Sequence, residues 1–396
     1  MIVSCFRRSW RPDRVVVSVV LALACTLAPL VTRASAGQTE PLALHEPTGQ
    51  AYLGFNLDWS QDSAAAVGDR LGLMPSSYVD FFSFPLTATD EAQLERFLGQ
   101  VETVKGLAVV TLEPTVSLDA ITPALADRLA TSLAPYNERG IPILVRFAHE
   151  MNGSWYAWSQ QPTAYIAAFR TVASAVHDTA PLTGMLWAPN NGGGYPFSDG
   201  PYEAVTGSAD FSLLDTNGDG LLSETDDPYA PYYPGDDAVD WVGMSLYHWG
   251  NQYPWGENEL PEPDAFSAML TGNYDGQNGD QTAVPDFYAE YAEARNKPLA
   301  IVETAAFFLP AGGGASELEI KQAWWRQVLS PAVLTQFPAM KMVNWFEWRK
   351  QEAEVGGAVV DWTVTTSEEI LTAFRRDLPI EQLRFAPLPN VGGTSS

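Results

Sequence analysis

Eight short apolar segments recur along the chain, separated by amphipathic stretches, and this alternation limits the possible folds more than any other feature. The strand-like segments cover residues 51–59, 78–86, 106–114, 141–150, 183–190, 240–249, 298–308 and 340–348. Helix-like stretches lie between them at 89–104, 124–140, 162–178, 285–296 and 317–329. Strands that alternate with helices predict a parallel sheet, and eight such units predict a closed (β/α)8 TIM barrel, an α/β fold. An open doubly wound sheet is the competing fold, but no strand is followed by the glycine fingerprint G-x-G-x-x-G.

The N-terminal segment has the three-part pattern of a secretory signal peptide. Four arginines between residues 7 and 14 precede an apolar run, and an Ala-x-Ala cleavage site ends at Ala36. We therefore predict a leader over 1–36, with a single-pass membrane anchor as the alternative. Both cysteines, Cys5 and Cys25, lie in this leader, so the secreted chain would contain no disulfide. The catalytic domain is predicted over 37–385, followed by a flexible tail over 386–396.

The charge of the chain restricts its partners. The formal net charge is −26, and such a surface repels nucleic acid and anionic lipid heads. A neutral ligand is not repelled, and 13 Trp and 15 Tyr residues supply flat amphipathic faces for it. We expect a secreted monomer with a neutral ligand, without a nucleic-acid partner and without membrane attachment after leader cleavage.

Polar and aromatic side chains gather where the predicted strands end, and in a (β/α)8 barrel these ends meet at the catalytic face. No His and Glu cluster with zinc spacing and no G-x-S-x-G motif is present. The candidates at the strand ends are Asp58, Glu113, His149, Glu150, Asn190, Tyr247, Glu303, Trp345, Glu347 and Trp348. Carboxylates, aromatics and amides of this kind are typical of a carbohydrate site.

Two of these carboxylates predict a retaining glycosidase. Glu150 ends the fourth strand and Glu303 ends the seventh, so both are expected to project into the barrel mouth from opposite sides. A retaining glycosidase uses one carboxylate as the nucleophile and the other as acid and base. His149 could bind a sugar hydroxyl without adding a fixed charge, and Arg146 could stabilise a neighbouring carboxylate.

The stretch "RFAHEMNGSWYAW" (146–158) resembles the strand-four signature of glycoside hydrolase family 26, whose members are mostly secreted endo-β-mannanases with some β-glucanases and β-xylanases. The resemblance implies Glu150 as acid and base and Trp155 as a platform for the leaving sugar. "LAIVETA" implies Glu303 as the nucleophile, and "GMSLYHW" implies Tyr247 as its hydrogen-bond partner. The resemblance also assigns Arg146, His149 and one tryptophan of strand eight, either Trp345 or Trp348, to substrate binding.

Several positions stay open in the sequence. Ser245 stands where many mannanases of the family carry an Asp. After strand three these mannanases often show a Trp-His pair, whereas this chain has "TLEPTVS" with Glu113. Both departures bear on the identity of the backbone sugar. Trp345 and Trp348 have opposite strand parity, so only one of them can face the mouth. Tyr247 could also be a core residue, and Glu113 and Glu347 could be either rim residues or sugar contacts.

A second motif predicts a calcium loop within an insert at about 210–228. "DTNGDGLLSETD" fits the Ca2+ template with the side chains of Asp215, Asn217, Asp219 and Asp226 and the carbonyl of Leu221. Pro228 excludes the exiting helix of a paired EF-hand, so we expect a structural ion rather than a sensor. The alternative is a turn that holds no ion.

Together these features predict a retaining endo-β-glycanase with β-1,4-mannan as the favoured substrate. A mixed-linkage β-glucanase or a β-xylanase of the same family is the alternative. A catalytically inactive carbohydrate-binding barrel would have lost one of the two carboxylates.

Overall fold

The computed structural model describes residues 46–388. The predicted leader (1–36) and residues 389–396 of the predicted tail lie outside the described residues.

Eight parallel strands form a closed barrel, which confirms the predicted (β/α)8 fold. Consecutive barrel strands are neighbours, and the last strand pairs with the first from Tyr52 beside Met342 to Leu57 beside Glu347. The strands are β1 Ala51–Leu57, β2 Ser77–Phe84, β3 Leu107–Pro114, β4 Ile143–Phe147, β5 Thr183–Trp187, β6 Trp241–Ser245, β7 Leu299–Thr304 and β8 Met340–Glu347.

Helices follow the strands and cover the outside of the barrel. They are α1 Ala64–Leu71, α2 Ala88–Val104, α3 Pro123–Glu138, α4 Pro162–Thr179, α5 Ala209–Leu214, α6 Ala265–Leu270, α7 Glu317–Val328, α8 Pro331–Gln336 and α9 Glu368–Asp377. Thr87 begins α2 with a capping box to Asp90, and Ser316 does the same for α7 with Glu319. The helix predicted at 285–296 contains a short π-helix, Tyr288–Glu293. No helix among residues 46–388 has the length and apolar character needed to cross a membrane.

Side chains alternate between the barrel interior and the layer under the helices, as the period of a strand requires. The apolar part of the interior contains Val79, Val109, Leu144 and Leu186. The next inward positions on the strands are polar and buried, among them Thr111, Arg146 and Ser245. The apolar filling therefore gives way to a polar chamber directly below the mouth.

The C-terminal segment corrects one boundary. A hairpin of β9 Arg349–Glu352 and β10 Ala358–Asp361 follows the barrel, and β11 Leu383–Arg384 pairs with β1. The N–H of Ala386 donates to the Met74 carbonyl, and the buried Leu388 donates to that of Lys105. The tail predicted to start at 386 is therefore still bound to the barrel through Leu388.

Candidate active site

A β-bulge at the end of β7 orients Glu303. Gly243 and Met244 of β6 pair with Ala300 and Ile301, but Ser245 pairs with Glu303, so β7 contains one extra residue there. A bulge lets two consecutive side chains face the same side. Val302 accordingly packs inside the barrel, and Glu303 is also drawn to the inner face beside Ser245.

Glu303 is held by hydrogen bonds to both of its carboxylate oxygens. The fully buried Arg146 donates from Nη1 to Oε1, and the Tyr247 hydroxyl donates to Oε2 at 2.7 Å. A second guanidinium nitrogen of Arg146 donates to Ser245 Oγ at 2.7 Å. Burial and the charge of Glu303 raise the pKa of Tyr247 well above 10, so its hydroxyl stays protonated and remains a donor. These donors fix the orientation of the Glu303 carboxylate.

Glu150 lies just beyond β4, in a turn with unusual backbone geometry. Ala148 has φ 46° and Glu150 has φ 53°, both in the left-handed region that residues other than glycine rarely adopt. The Glu150 N–H donates to the Ala188 carbonyl, and Gly153 N–H donates back to the Glu150 carbonyl. Strain of this kind persists where surrounding contacts impose it, and here it turns the carboxylate toward Glu303.

The two carboxylates are close enough to act on one sugar ring. One oxygen of Glu150, one of Glu303 and a ring nitrogen of His149 all lie within 4.8 Å of one another. Burial and the nearby charge of Glu303 raise the pKa of Glu150 to about 7, against opposing effects of Arg146, Ser245 and Trp155. Glu150 can thus carry a proton near neutral pH, as a group that acts in acid and base catalysis requires.

His149 is a neutral partner of this pair. It is buried, and desolvation followed by the charge of Arg146 lowers its pKa well below 6.5. Its Nε2 lies 3.2 Å from the Tyr156 hydroxyl, whereas its buried Nδ1 has no hydrogen-bond partner among the described residues. Trp158 Nε1 donates to the His149 carbonyl at 2.8 Å and holds the backbone there.

Trp155 contacts the proposed acid directly. Its Nε1 donates to Glu150 Oε2 at 3.1 Å, and 36% of its surface remains exposed. A Cβ at Gly153 would lie 2.5 Å from the indole, so the absence of a side chain at Gly153 leaves room for the ring. The geometry therefore gives Trp155 two functions, an exposed stacking face and a hydrogen bond to Glu150.

Asn190 lies at the end of β5 and joins two loops. Its N–H donates to Asn152 Oδ1 at 2.9 Å, and its carbonyl accepts from Asn152 Nδ2 at 2.8 Å. Its own side chain donates to the carbonyl of Asn191 at 3.3 Å. Asn190 thus fixes the Glu150 turn against β5, and its predicted contact with sugar stays a prediction.

The structure separates the two tryptophans of β8. Trp345 is fully buried under the helices and donates to the Trp362 carbonyl at 2.8 Å, so it does not reach the mouth and its predicted substrate role is wrong. Trp348 is half-buried, lies parallel to Phe346 with ring centroids 5.8 Å apart, and donates to Asn56 Oδ1 at 3.2 Å. It remains the candidate for a sugar contact.

Glu347 is a structural residue. Its buried carboxylate accepts hydrogen bonds from the N–H groups of Val364 and Thr365 at 2.8 Å and from the Thr365 hydroxyl at 2.6 Å. It therefore anchors the loop before α9 and does not contact sugar.

The predicted calcium loop is closed by its own backbone donors. Asp215 accepts from the N–H groups of Asp219 and Gly220, while Asn217 Oδ1 and Asp219 Oδ1 accept from the N–H two residues further on. The carboxylate of Asp226 accepts from three backbone N–H groups of the loop, and the side chain of Leu221 is exposed. Within residues 46–388, three His, Cys, Asp or Glu ligands converge only at His149, Glu150 and Glu303. The order of side chains fits the template, whereas the acidic groups of the loop do not converge.

Sequence reasoning did not assign two residues that the fold brings to the site. Tyr156 contacts His149 through its hydroxyl, and Ser245 is a partner of Arg146. The departure at Ser245 was visible in the sequence, but its partner depends on the register of β4 and β6 in the closed barrel.

Comparisons with known proteins give a family match and a shared fold. The model of the glycosyl hydrolase family 26 matches residues 83–202, which include Glu150. Endoglucanase H of Acetivibrio thermocellus is 23% identical over 300 residues, which are 73% of this chain and 26% of that protein. The match thus spans about a quarter of that curated relative.

Two solved structures show the same fold. A Cellulomonas fimi endo-β-1,4-mannanase double mutant has a TM-score of 0.53 and 18% identity, over 86% of this chain and 73% of that one. GH26C from a Muricauda species has a TM-score of 0.52 and 16% identity, over 88% and 90% of the two chains.

The (β/α)8 barrel, the carboxylate pair at its mouth and the family match are those expected of a glycoside hydrolase. The resemblance to glycosyl hydrolase family 26 predicted from the sequence is confirmed by the family model that matches residues 83–202 and by the fold shared with solved structures of that kind.

Proposed function

We propose that the protein is a secreted retaining endo-β-glycanase whose best substrate is β-1,4-mannan. The observation that carries this proposal is that one carboxylate oxygen of Glu150 and one of Glu303 lie within 4.8 Å of each other. Carboxyl groups about 5–5.5 Å apart suit a double displacement, whereas an inverting enzyme needs about 6.5–9.5 Å to place a water molecule.

In the first step, a carboxylate oxygen of Glu303 attacks the anomeric carbon of the bound sugar. The bond from that carbon to the bridging oxygen breaks, and its electron pair stays on the oxygen, which takes the proton of Glu150. Arg146 and Tyr247 hold the Glu303 carboxylate in its orientation until the bond forms. The product is a sugar linked covalently to Glu303.

In the second step, Glu150 acts as a base. Its carboxylate takes a proton from water while the water oxygen attacks the anomeric carbon, and the bond to Glu303 breaks with its electrons returning to the carboxylate. A pKa of about 7 suits a group that must both give and accept a proton. The sugar leaves with the configuration it had in the polymer.

The choice of polymer rests on a neutral substrate and on the names of relatives. A formal net charge of −26 disfavours an anionic polysaccharide. One relative is named an endo-β-1,4-mannanase and another an endoglucanase. We place mannan first and a mixed-linkage β-glucan second, with β-xylan as the further alternative. The presence of both carboxylates argues against an inactive binding barrel.

Secretion and a structural calcium ion are proposed from sequence patterns, and the protein is proposed to be a monomer. The leader pattern at 1–36 supports export, and the template at Asp215–Asp226 supports a structural Ca2+ ion.

The proposal is tested by following digestion of β-mannan oligosaccharides by proton NMR. We expect the β-anomer to appear first and the α-anomer later by mutarotation. An α-anomer as the first product would refute retention. Parallel digestion of galactomannan, barley β-glucan and β-1,3-xylan identifies the polymer, and internal cleavage is read from an early fall in viscosity.

A further inference from the structure

A third carboxylate, Glu113, lies on the inner face of the barrel beside the catalytic pair. Val109 packs inside the barrel, so the alternation of β3 places Thr111 and Glu113 on the same inner face. Thr111 pairs with Arg146 of β4, and Glu113 is the next inward residue toward the mouth. Glu113 therefore stands one layer above the guanidinium that holds Glu303.

The Glu113 carboxylate has no hydrogen bond or ion pair to any described residue, although the residue is half-buried. Two other acids at strand ends near the mouth have protein hydrogen-bond donors. Glu303 accepts from Arg146 and Tyr247, and Glu347 accepts three hydrogen bonds from the loop before α9. A half-buried carboxylate without a protein donor is costly unless another molecule supplies the donors.

The surrounding charges do not explain Glu113 as a structural residue. Burial and the charge of Glu303 raise the pKa of Glu113, and Arg146 only partly opposes them. Arg146 already donates to Glu303 and Ser245. A glutamate here therefore adds repulsion to Glu303, and a structural role would be served better by a neutral residue.

We propose that Glu113 is a specificity-determining residue that accepts hydrogen bonds from ring hydroxyls of the sugar attacked by Glu303. This inference rests on the proposed glycosidase function and adds a contact to it. A carboxylate is an acceptor only, so it matches hydroxyl donors. Its charge also disfavours a uronic acid at this position. The preferred sugar is therefore neutral, with a free hydroxyl on the Glu113 side.

The test combines variants of the full chain with altered sugars. Glu113→Ala removes the acceptor, Glu113→Gln keeps one acceptor without the charge, and Glu138→Gln is the matched control on the exposed end of α3. The substrates are aryl β-glycosides of the preferred sugar and their monodeoxy analogues. Melting curves establish that each variant is folded.

In the wild type, removal of the partner hydroxyl is expected to lower kcat/KM by roughly 10- to 100-fold, the range for a hydrogen bond to a charged group. In Glu113→Ala the kcat/KM for the parent glycoside should fall to the value that the wild type shows for that deoxy analogue. Removal of the same hydroxyl should then cause no further decrease in the variant. Glu113→Gln should show an intermediate loss, and Glu138→Gln none.

The inference is overturned if every deoxy analogue loses as much activity in Glu113→Ala as in the wild type. Calorimetry can measure the binding of the matching oligosaccharide and its deoxy analogue to the wild type and to Glu113→Ala. This gives the same four-way comparison without requiring turnover. A wild type that hydrolyses no β-glycan and no aryl glycoside refutes the proposed function, while the calorimetric cycle still decides the role of Glu113.

Discussion

The hydrogen bond from Trp155 to Glu150 predicts a specific change in the pH dependence of catalysis. Trp155 Nε1 lies 3.1 Å from Glu150 Oε2, and this donor favours the charged form of the carboxyl group. Trp155→Phe removes the N–H but keeps an aromatic face. The pKa of Glu150 should therefore rise. Because the first step needs protonated Glu150, activity falls as the pH rises through this pKa, and the alkaline limb should move upward.

The size of the change follows from the strength of one partly exposed hydrogen bond. A typical hydrogen bond contributes about 1 kcal/mol net, and 1.36 kcal/mol corresponds to one pH unit. The alkaline limb of kcat/KM should thus move up by roughly 0.7 pH. Trp155→Ala should move it equally, but should also weaken turnover of the polymer by about tenfold through loss of the stacking face.

The assay is the pH profile of kcat/KM for both variants and the wild type on one aryl glycoside and on the polymer. An alkaline limb that stays in place in both variants, or moves downward, would refute the proposed effect of the indole N–H. Equal polymer kinetics for Trp155→Phe and Trp155→Ala would refute the stacking role instead.

Two further predictions concern stability. If the loop from Asp215 to Asp226 binds calcium, chelation should lower the melting temperature, by an amount equivalent to about 2.7 kcal/mol when calcium had been at a hundredfold excess over Kd; identical curves with calcium and with chelator would exclude the ion. Glu347→Ala should destabilise the fold by about 3 kcal/mol, since it leaves the buried N–H groups of Val364 and Thr365 without acceptors, whereas the exposed control Glu354→Ala should leave the denaturation midpoint unchanged. Equal midpoints for these two variants would show that Glu347 is not an anchor.

The barrel was predictable because its strands are buried on both faces. Val109, Leu112, Leu144 and Val145 are fully buried, and such apolar runs stand out from the amphipathic helices between them. The short helices α5, α6 and α8 lack a pattern long enough to detect, and their formation depends on packing against the barrel.

The catalytic pair was predictable from strand order, but its geometry was not. The sequence indicates that Glu150 and Glu303 end strands at one face of the barrel. It does not show the bulge that turns Glu303 inward or the left-handed conformation of Ala148 and Glu150. Both depend on pairing with neighbouring strands that are distant in sequence.

Strand alternation predicted that Trp345 and Trp348 face opposite sides of β8. It could not predict which of them faces the mouth, because that depends on the register of β8 in the barrel. In the same way, Glu113 and Glu347 look alike in sequence. In the structure, the loop before α9 supplies three hydrogen-bond donors to Glu347, whereas no described residue supplies a donor to Glu113. This difference distinguishes the structural residue Glu347 from Glu113, the candidate sugar contact.

The central claim is that Glu303 is the nucleophile and Glu150 the acid and base, and azide rescue of the two alanine variants tests it most directly. With an activated aryl β-glycoside, Glu150→Ala should form the glycosyl-enzyme and then stall, because no base activates water. Azide needs no base, so it should restart turnover and give the β-glycosyl azide. In Glu303→Ala azide should attack the substrate directly and give the α-glycosyl azide. A β-azide from Glu303→Ala, or an α-azide from Glu150→Ala, would contradict the assignment of both residues.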